Sequence, residues 1–269
     1  MKTILVTGGA GYIGSITARR LLEKGYKVII YDNLSRGHKI NIPKKATFVN
    51  GGLSDTKKLS TALTKNKVDA VIHFAAYAYV GESVQDPKLY MDNNIKEGIS
   101  LLNTLIEKNV KKIIFSSSCA VYGIPRKLPI TERESFKPIS PYGLTKRMFE
   151  NILKSYHLAY DLSYVALRYF NAAGAAYGIG EAHDPETHLI PLVLQVASGK
   201  RKNIKIFGTD YDTIDGTCIR DYIHVLDLAD AHIAALQDLD KGKAAAYNLG
   251  TGEGVSVRDI IDLCQEISG

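Results

Sequence analysis

The residues whose types and spacing best suit chemistry are Tyr142 and Lys146, which lie four positions apart. On one helix, that spacing places a phenol and an ammonium on the same face. A nearby positive charge favours the phenolate, so Lys146 is expected to lower the pKa of Tyr142. Beside a dinucleotide, such a phenolate can take a proton from a substrate hydroxyl while hydride leaves the adjacent carbon. The pair therefore predicts an acid–base site for the oxidation of an alcohol.

The sequence around this pair supports a catalytic role. Pro141 precedes Tyr142, which is typical of the first turn of a helix, and the run from Ser116 to Ser118 ends a predicted strand. Ser118 is the candidate for holding the substrate oxygen by a hydrogen bond. The alternatives are a Tyr–Lys pair on a helix surface and a serine run that forms a turn or caps a helix.

A glycine cluster follows the first predicted strand and opens the first predicted helix. Gly8, Gly11 and Gly14 are spaced three positions apart, a variant of the dinucleotide-binding glycine fingerprint. Glycines let the backbone approach a pyrophosphate, which binds at the N-terminus of the helix. The cluster therefore predicts a dinucleotide site.

An acidic residue follows the glycines at the spacing expected for ribose recognition. Asp32 ends the second predicted strand, 18 positions after Gly14. A carboxylate there accepts hydrogen bonds from the ribose hydroxyls and repels a 2′-phosphate, which favours NAD over NADP. The alternative is an aspartate that caps the turn at Asn33, and the nearby Arg36 keeps NADP open.

Strand-like and helix-like segments alternate over the first two thirds of the chain. Strands are predicted at residues 2–7, 27–31, 70–74, 112–115 and 163–168, and helices at 12–24, 56–64, 88–108 and 142–157. The remaining pattern predicts helices at 225–236 and 256–267 and a strand at 245–249. This alternation indicates an α/β fold, a Rossmann-like doubly wound parallel sheet covered on both faces.

The character of the sequence changes after Asn171, which suggests a division into domains. We predict a dinucleotide-binding domain over residues 1–171, with its sheet completed by 223–250. A smaller, partial substrate-binding domain is predicted from residues 172–222 and 251–269. Residues 172–222 are expected to cover the carboxyl edge of the sheet, where ligands bind in such folds.

Bulk composition argues against several classes of protein. The 269 residues carry a net charge of +6, and their Lys and Arg residues do not form the basic stripe of a nucleic-acid binder. The chain has no apolar run of about 18 residues, so no membrane span is predicted, and it begins in a strand rather than a signal peptide. Cys119, Cys218 and Cys264 lack metal spacing, which indicates reduced thiols and a cytoplasmic protein.

The glycine cluster, Asp32, the serine run and the Tyr142–Lys146 pair occur in motifs that resemble the extended short-chain dehydrogenase/reductase family, and within it the 4-epimerases of UDP-sugars. The resemblance covers nearly the whole chain, and its motifs are together highly specific. They lie at residues 6–15, 32–34, 73–76, 80–83, 116–118, 121–123, 141–143, 167–171, 215–217, 220–224 and 247–250.

The resemblance implies a redox cycle with no net oxidation. NAD oxidises the sugar transiently at C4 to a 4-keto sugar, and hydride returns to its other face, which interconverts UDP-galactose and UDP-glucose. Tyr142, Lys146 and Ser118 are then the catalytic residues. The predicted cofactor-binding residues are Gly8, Gly11, Tyr12, Ile13, Gly14, Asp32, Asn33, Leu53, Phe74, Ala75, Ala76, Asn93, Ser116, Tyr142, Lys146 and Tyr169. The predicted substrate-binding residues are Ser118, Tyr142, Asn171, His188, Leu189, Phe207, Arg220 and Tyr222.

The sequence departs from the family pattern in three places. Gly52 stands where better-known epimerases carry an Asp that contacts adenine, and Ala78 stands where many have a Lys near the cofactor phosphates. Both changes weaken the expected retention of NAD. Family members also continue for some tens of residues beyond Gly269, and they use that segment for further uridine and diphosphate contacts.

Other functions stay open beside the UDP-hexose epimerase. Residues 183–191 resemble a subgroup that includes pentose-sugar epimerases, and the short C-terminus leaves a non-catalytic NAD-binding protein as an alternative. A sugar-nucleotide dehydratase is disfavoured, because Cys119 and Ala120 cannot supply the acid and base of an elimination. His183 and His188 are interpreted as loop histidines, so no metal is predicted.

The resemblance also implies a partner. The predicted helices at 88–108 and 142–157 resemble the elements that pair in family homodimers through a four-helix interface. We therefore predict a homodimer with two-fold symmetry, and no nucleic-acid or membrane partner.

Overall fold

The computed structural model describes residues 1–239 and 242–268. Its strands are β1 (Thr3–Thr7), β2 (Lys27–Asp32), β3 (Thr47–Asn50), β4 (Ala70–His73), β5 (Lys112–Ser118), β6 (Ser163–Tyr169), β7 (Asn171–Ala173), β8 (Ile219–Arg220), β9 (Tyr222–His224), β10 (Ala244–Leu249) and β11 (Val255–Ser256). Its helices are α1 (Tyr12–Glu23), α2 (Thr56–Asn66), α3 (Val80–Gln85), α4 (Pro87–Tyr90), α5 (Glu97–Glu107), α6 (Pro141–Tyr160), α7 (Leu189–Ala197), α8 (Val225–Asp238) and α9 (Val257–Ser268).

The central sheet has seven strands in the order β10-β6-β5-β4-β1-β2-β3, and its paired strands are parallel. Successive side chains on a strand point to opposite faces, so the buried run in β1 serves two cores. Leu5 packs on one face of the sheet, whereas Ile4 and Val6 pack on the other. This explains why the strands are continuously apolar rather than alternating.

Helices cover both faces of the sheet. Leu59 of α2, Leu102 of α5 and Phe149 of α6 belong to the core on the Leu5 side. Leu21 of α1 and Ile233 of α8 belong to the core on the opposite side. The predicted doubly wound α/β class is therefore confirmed.

The strand order creates the position for a ligand. From β1 the chain winds outward through β2 to β3, and it then returns to β4 on the other side of β1. The carboxyl ends of β1 and β4 therefore flank a crevice at the point where the winding reverses. In open parallel sheets, ligands bind at such a switch point.

Short strands outside the main sheet form two small pairs in the later part of the chain. β7 pairs with β9 in parallel, and β8 pairs with β11 in antiparallel orientation. Helices α7 and α9 pack against each other. None of the helices in the described residues has both the length and the hydropathy needed to cross a membrane.

Two sequence expectations differ from the observed elements. β3 was not predicted, because at the sheet edge its residues are only partly buried or exposed and its sequence gives little apolar periodicity. The helix predicted at 88–108 is divided into α4, a π-helical turn (Met91–Lys96) and α5. The buried Asn94 in that turn bonds the backbone of Tyr77 and the hydroxyl of Thr145, and such π turns are frequent at functional sites.

Candidate active site

A cavity of about 1720 Å³ lies at the carboxyl edge of the sheet. Small-molecule sites typically span roughly 300–1,000 Å³, so this cavity has room for a dinucleotide and a second ligand. Every cofactor-binding residue predicted from the sequence lines it. These residues are Gly8, Gly11, Tyr12, Ile13, Gly14, Asp32, Asn33, Leu53, Phe74, Ala75, Ala76, Asn93, Ser116, Tyr142, Lys146 and Tyr169.

The glycine turn between β1 and α1 has a shape that side chains would destroy. Gly8 has φ of +70°, and a Cβ there would lie 2.6 Å from the backbone nitrogen of Ala75. A Cβ on Gly14 would lie 2.3 Å from the carbonyl oxygen of Gly8. Gly11 is the N-cap of α1 and offers no side-chain cap, so the first N–H groups of the helix can bind an anion. The turn therefore fits a dinucleotide pyrophosphate.

Replacing Gly14 with Ala tests this turn. The added methyl would force the backbone at Gly8 to move, and overpacking of this kind costs roughly 1–3 kcal/mol. We expect NAD affinity, measured by calorimetric titration, to fall about tenfold or more. Gly81→Ala is the matched control, because a Cβ at Gly81 meets nothing within 4 Å. Equal NAD affinity in Gly14→Ala and the unmodified chain would contradict this role of the turn.

Asp32 is buried at the end of β2, and its carboxylate accepts hydrogen bonds from two backbone N–H groups. One oxygen accepts from the Ala10 N–H at 2.9 Å, and the other accepts from the Leu34 N–H at 2.8 Å. The second bond is the turn-capping role that the sequence left as an alternative. A carboxylate has about four acceptor sites, so Asp32 can hold the turn and still accept from a ribose hydroxyl. Ribose binding by Asp32 stays a prediction.

The start of α6 places the proposed catalytic pair. Ser140 caps the helix by accepting from the Gly143 N–H at 3.1 Å, and Pro141 occupies the first turn. Tyr142 and Lys146 then lie one turn apart on the buried side of the helix, with 9% and 4% of their surfaces exposed. Both side chains line the cavity, so the surface-pair alternative is wrong.

The two side chains differ in where they point. The Lys146 ammonium donates to the Ser116 carbonyl at 2.7 Å and lies 5.7 Å from the centre of the Tyr142 ring. Ser118, at the end of β5, is buried at the cavity wall, where its hydroxyl accepts from the Ala120 N–H at 3.2 Å. The three predicted catalytic residues therefore meet in one place.

The expectation that Lys146 lowers the pKa of Tyr142 is wrong for this geometry. Burial raises the pKa of the phenol, the nearby Tyr169 adds to the rise, and Ser118 opposes it. The Lys146 ammonium is directed at a carbonyl rather than at the phenol oxygen, which explains its small influence. A cationic nicotinamide in the cavity would favour the phenolate, because opposite charges at short distance stabilise each other.

Burial also changes the basicity of Lys146. It lowers the pKa of the ammonium to about 7, and the negative charge of Glu150, one turn further along α6, opposes that fall. Lys146 therefore titrates near neutrality, unlike an exposed lysine.

This pKa predicts a pH-dependent stability. An unfolded lysine has a pKa of about 10.4, so between pH 7 and that value the unfolded chain binds more protons than the folded one. Stability must then rise with pH in this window, by at most about 1.4 kcal/mol per pH unit. We expect the free energy of unfolding in urea to rise less in Lys146→Met than in the unmodified chain, from pH 7 to about 9.5.

The comparison with Lys146→Met also cancels the effects of other groups whose titration lowers stability as the pH rises. Burial raises the pKa of Cys119 to about 11, which lowers stability above the unfolded thiol pKa of about 8.5. Cys119 is present in both proteins, so the difference between their curves reports Lys146 alone. Parallel curves would show that Lys146 is not held in a desolvating environment.

A buried ion pair below the catalytic helix was not found from the sequence. Arg168 of β6 donates to both carboxylate oxygens of Glu150 at 2.9 and 2.6 Å. The Ser117 hydroxyl donates to the same carboxylate at 2.6 Å, and Arg168 also donates to the Tyr122 hydroxyl at 2.9 Å. Glu150 follows Lys146 by four positions, and this spacing was the available signal. The pair joins α6 to β5 and β6 where the catalytic residues lie.

The predicted substrate residues are only partly gathered around the cavity. Its lining includes Ser118, Tyr142, Asn171, His188 and Arg220. Leu189, Phe207 and Tyr222 do not belong to that lining, and Phe207 is 83% exposed. Their roles stay predictions. Gly52 and Ala78, the two departures from the family pattern, both line the cavity without contributing a functional side chain.

A doubly wound sheet with an anion-binding turn at its switch point is the architecture of dinucleotide-binding proteins, and here it carries an acid–base group beside that turn. Residues 4–250 match the family described as the NAD dependent epimerase/dehydratase family. The chain belongs to this family, which confirms the resemblance found in its sequence.

Individual relatives are similar over nearly the whole chain. The UDP-glucose 4-epimerase of Halalkalibacterium halodurans is 51% identical over 99% of this chain and 80% of its own length. The crystal structure of the Brucella ovis UDP-glucose 4-epimerase in complex with NAD has a TM-score of 0.94 at 50% identity, covering 97% of this chain and 81% of that one. The Bifidobacterium longum enzyme in complex with NAD⁺ and UDP has a TM-score of 0.95 at 42% identity, covering 100% of this chain and 84% of that one.

Proposed function

We propose that this chain is an NAD-dependent 4-epimerase of UDP-sugars that interconverts UDP-galactose and UDP-glucose. The observation that carries the proposal is the cavity that Tyr142, Lys146 and Ser118 share with the glycine turn. An alcohol held against Tyr142 would lie beside a dinucleotide whose pyrophosphate sits on α1. The relatives named UDP-glucose 4-epimerase support the same activity.

The glycine turn, Asp32 and Lys146 would hold NAD, and the bound cofactor would supply a reversible hydride acceptor for C4 of the sugar. Tyr142 takes the proton of the C4 hydroxyl and returns it when the sugar is reduced again. Ser118 holds the same sugar oxygen, which fixes the distance for proton transfer. Lys146 supplies a positive charge and an N–H donor for the nicotinamide ribose. No proton is exchanged overall, which suits a buried site.

The nucleotide half of the substrate needs cationic and polar partners. Arg220 lies in the cavity wall with Asn171, and its guanidinium can bind a diphosphate through two parallel hydrogen bonds. We assign His188, Leu189, Phe207 and Tyr222 to binding of the UDP-sugar. Leu189 and Phe207 match in sequence the positions that hold the UDP-sugar in the family.

The residues that follow β5 distinguish epimerisation from dehydration, the most similar alternative reaction. A sugar-nucleotide dehydratase needs an acid and a base beside Ser118 for the elimination of water. Cys119 and Ala120 occupy those positions, and burial raises the pKa of the Cys119 thiol to about 11, so it is a poor base. A reversible oxidation without elimination is what these residues support.

The test is conversion of UDP-galactose to UDP-glucose by the purified chain with NAD. We expect both sugars at equilibrium and no net accumulation of reduced cofactor in the absorbance of the solution. Stoichiometric NADH would show a net oxidoreductase, and NAD binding without turnover would show a binding protein. A parallel assay with a UDP-pentose decides between hexose and pentose as the preferred sugar.

Assembly, domains and location complete the proposal. We assign a cofactor domain to residues 1–171 with 223–250, and a substrate region to the remainder.

We further propose a homodimer through α5 and α6, for which light scattering should give twice the chain mass; a monomer at working concentration would contradict it. We assign the protein to the cytoplasm on its three unpaired cysteines.

A further inference from the structure

Three potential metal ligands meet at the wall of the cavity, in the segment that precedes α7. They are Glu181, His183 and His188, and the ligand atoms that they offer lie within 4.8 Å of one another. All three residues are partly buried and line the cavity. The spacing of the two histidines alone predicts loop residues, and it is the fold that brings Glu181 to them.

Two polar atoms at this cluster are buried without a hydrogen bond among the described residues. The Nδ1 atom of His183 touches the Glu181 carboxylate, yet the two do not form a hydrogen bond. The hydroxyl of Tyr79, a residue only 7% exposed, is also unsatisfied. The Tyr79 ring lies edge-on to His183, with 4.9 Å between the ring centres. Buried unsatisfied groups are rare in folded proteins, so these two atoms point to a ligand at this cluster.

His188 has the arrangement of a metal-binding histidine. Its Nδ1 atom lies 2.7 Å from the Glu186 carboxylate, which fixes the proton on that nitrogen. The lone pair of Nε2 is then available for a ligand. Metal-binding histidines characteristically donate their second ring nitrogen to a carboxylate in this way.

The local charge favours a cation. Glu181 and Glu186 contribute two negative charges, and neutral imidazoles contribute none. A positive group, the Arg36 guanidinium, lies 5.0 Å from the centre of the Tyr79 ring. Its charge is already compensated by an ion pair with Glu82 at 2.5 Å. A divalent cation would therefore neutralise the cluster.

We propose that Glu181, His183 and His188 bind one divalent transition-metal cation of the zinc class. Two imidazoles and one carboxylate are a common zinc ligand set that leaves a fourth position open, and all three residues line the cavity. Metal–ligand bonds of about 2.0–2.2 Å require the three ligand atoms to approach one another by roughly 1–2 Å. Imidazole ligands argue against Mg²⁺ or Ca²⁺, which prefer oxygen. The bound cation would hold the segment 181–188 against Tyr79 at the cavity wall.

The experiment is calorimetric titration of the chelator-treated full chain with Zn²⁺, and with Mg²⁺ for comparison. We expect one Zn²⁺ per chain and no Mg²⁺ binding. In H183A/H188A, Zn²⁺ affinity should fall at least a hundredfold. In Glu186→Gln, which keeps all three ligands, it should fall about 10–100-fold. The matched control H157A/H224A removes two histidines outside the cluster and should bind Zn²⁺ like the unmodified chain.

Two outcomes would overturn the site. The first is that the unmodified chain does not bind Zn²⁺. The second is that H183A/H188A binds Zn²⁺ as tightly as H157A/H224A does, which would place the metal on cysteines or other surface groups. Thermal unfolding gives a second readout, because a ligand of the folded state raises Tm. Zn²⁺ should raise Tm in the unmodified chain and in H157A/H224A but not in H183A/H188A. Neither readout uses turnover, so a negative result leaves the epimerase proposal untouched.

Discussion

Tyr142→Phe should lower kcat for UDP-galactose epimerisation by about 10²–10⁴-fold, the range for loss of a positioned general acid–base group. The substitution removes one buried hydroxyl and keeps the ring that packs beside Lys146. NAD binding should therefore be nearly unchanged, because the phenylalanine still fills the cavity wall. The measurement is steady-state kinetics together with calorimetric titration of NAD.

Tyr160→Phe is the matched control for this substitution. Tyr160 lies on the same helix and is 48% exposed, so losing its hydroxyl should leave kcat unchanged. If Tyr142→Phe kept more than about a tenth of kcat, which corresponds to a loss below about 1.4 kcal/mol, Tyr142 would not be the proton acceptor. Loss of NAD binding in Tyr142→Phe would instead indicate a structural role.

Arg168→Met should destabilise the fold by about 3–5 kcal/mol, because it leaves the Glu150 carboxylate buried without its main partner. The Ser117 hydroxyl and Arg147, at 3.6 Å, would remain beside that carboxylate, but neither replaces the two short hydrogen bonds from Arg168. For a chain of this size, the loss corresponds to a fall in Tm of roughly 6–20 °C. Thermal and urea unfolding of the purified variants measure it.

Two further variants show whether the buried charge is the cause. The double variant E150M/R168M removes both charges, so it should recover much of the lost stability. Arg126→Met breaks an ion pair whose arginine is 74% exposed, and it should cost less than about 1 kcal/mol. A double variant as unstable as Arg168→Met would show that packing, not the unpaired carboxylate, accounts for the effect.

The nucleotide-binding half of the fold was readable from sequence because local and global signals agree there. The apolar run of β1, the glycines of the turn and the periodicity of α1 all indicate the same unit. Gly8 and Gly14 are also the positions at which the structure leaves no room for a side chain. Such agreement between local pattern and fold makes an element predictable.

Features that depend on tertiary contacts were not readable in the same way. β3 is a short edge strand whose pairing with β2 has no apolar pattern of its own. The π-helical turn contains Asn94, and its hydrogen bonds to the backbone of Tyr77, 17 positions earlier, have no signal in the local sequence. The pKa of Tyr142 depends on where the Lys146 ammonium points, and the helical spacing of the two residues does not fix that direction.

The residues predicted to bind the substrate also differ in how well the sequence placed them at the cavity. Arg220 and Asn171 follow motifs and reach the cavity, whereas Phe207 lies in a segment without regular secondary structure and is largely exposed. The sequence interpreted His183 and His188 as loop histidines, and only the fold shows that Glu181 lies with them. Motif spacing therefore predicted the cofactor side more completely than the sugar side.

The fate of the hydrogen at C4 of the sugar tests transient oxidation at that carbon. UDP-galactose that carries deuterium at C4 is incubated with the chain and NAD in ordinary water, and the UDP-glucose formed is analysed by mass spectrometry and NMR. If C4 is oxidised transiently, the deuterium stays at C4 of the product, because it leaves and returns without meeting solvent. Product in which solvent hydrogen has replaced the deuterium would contradict transient oxidation at C4 as the basis of the function.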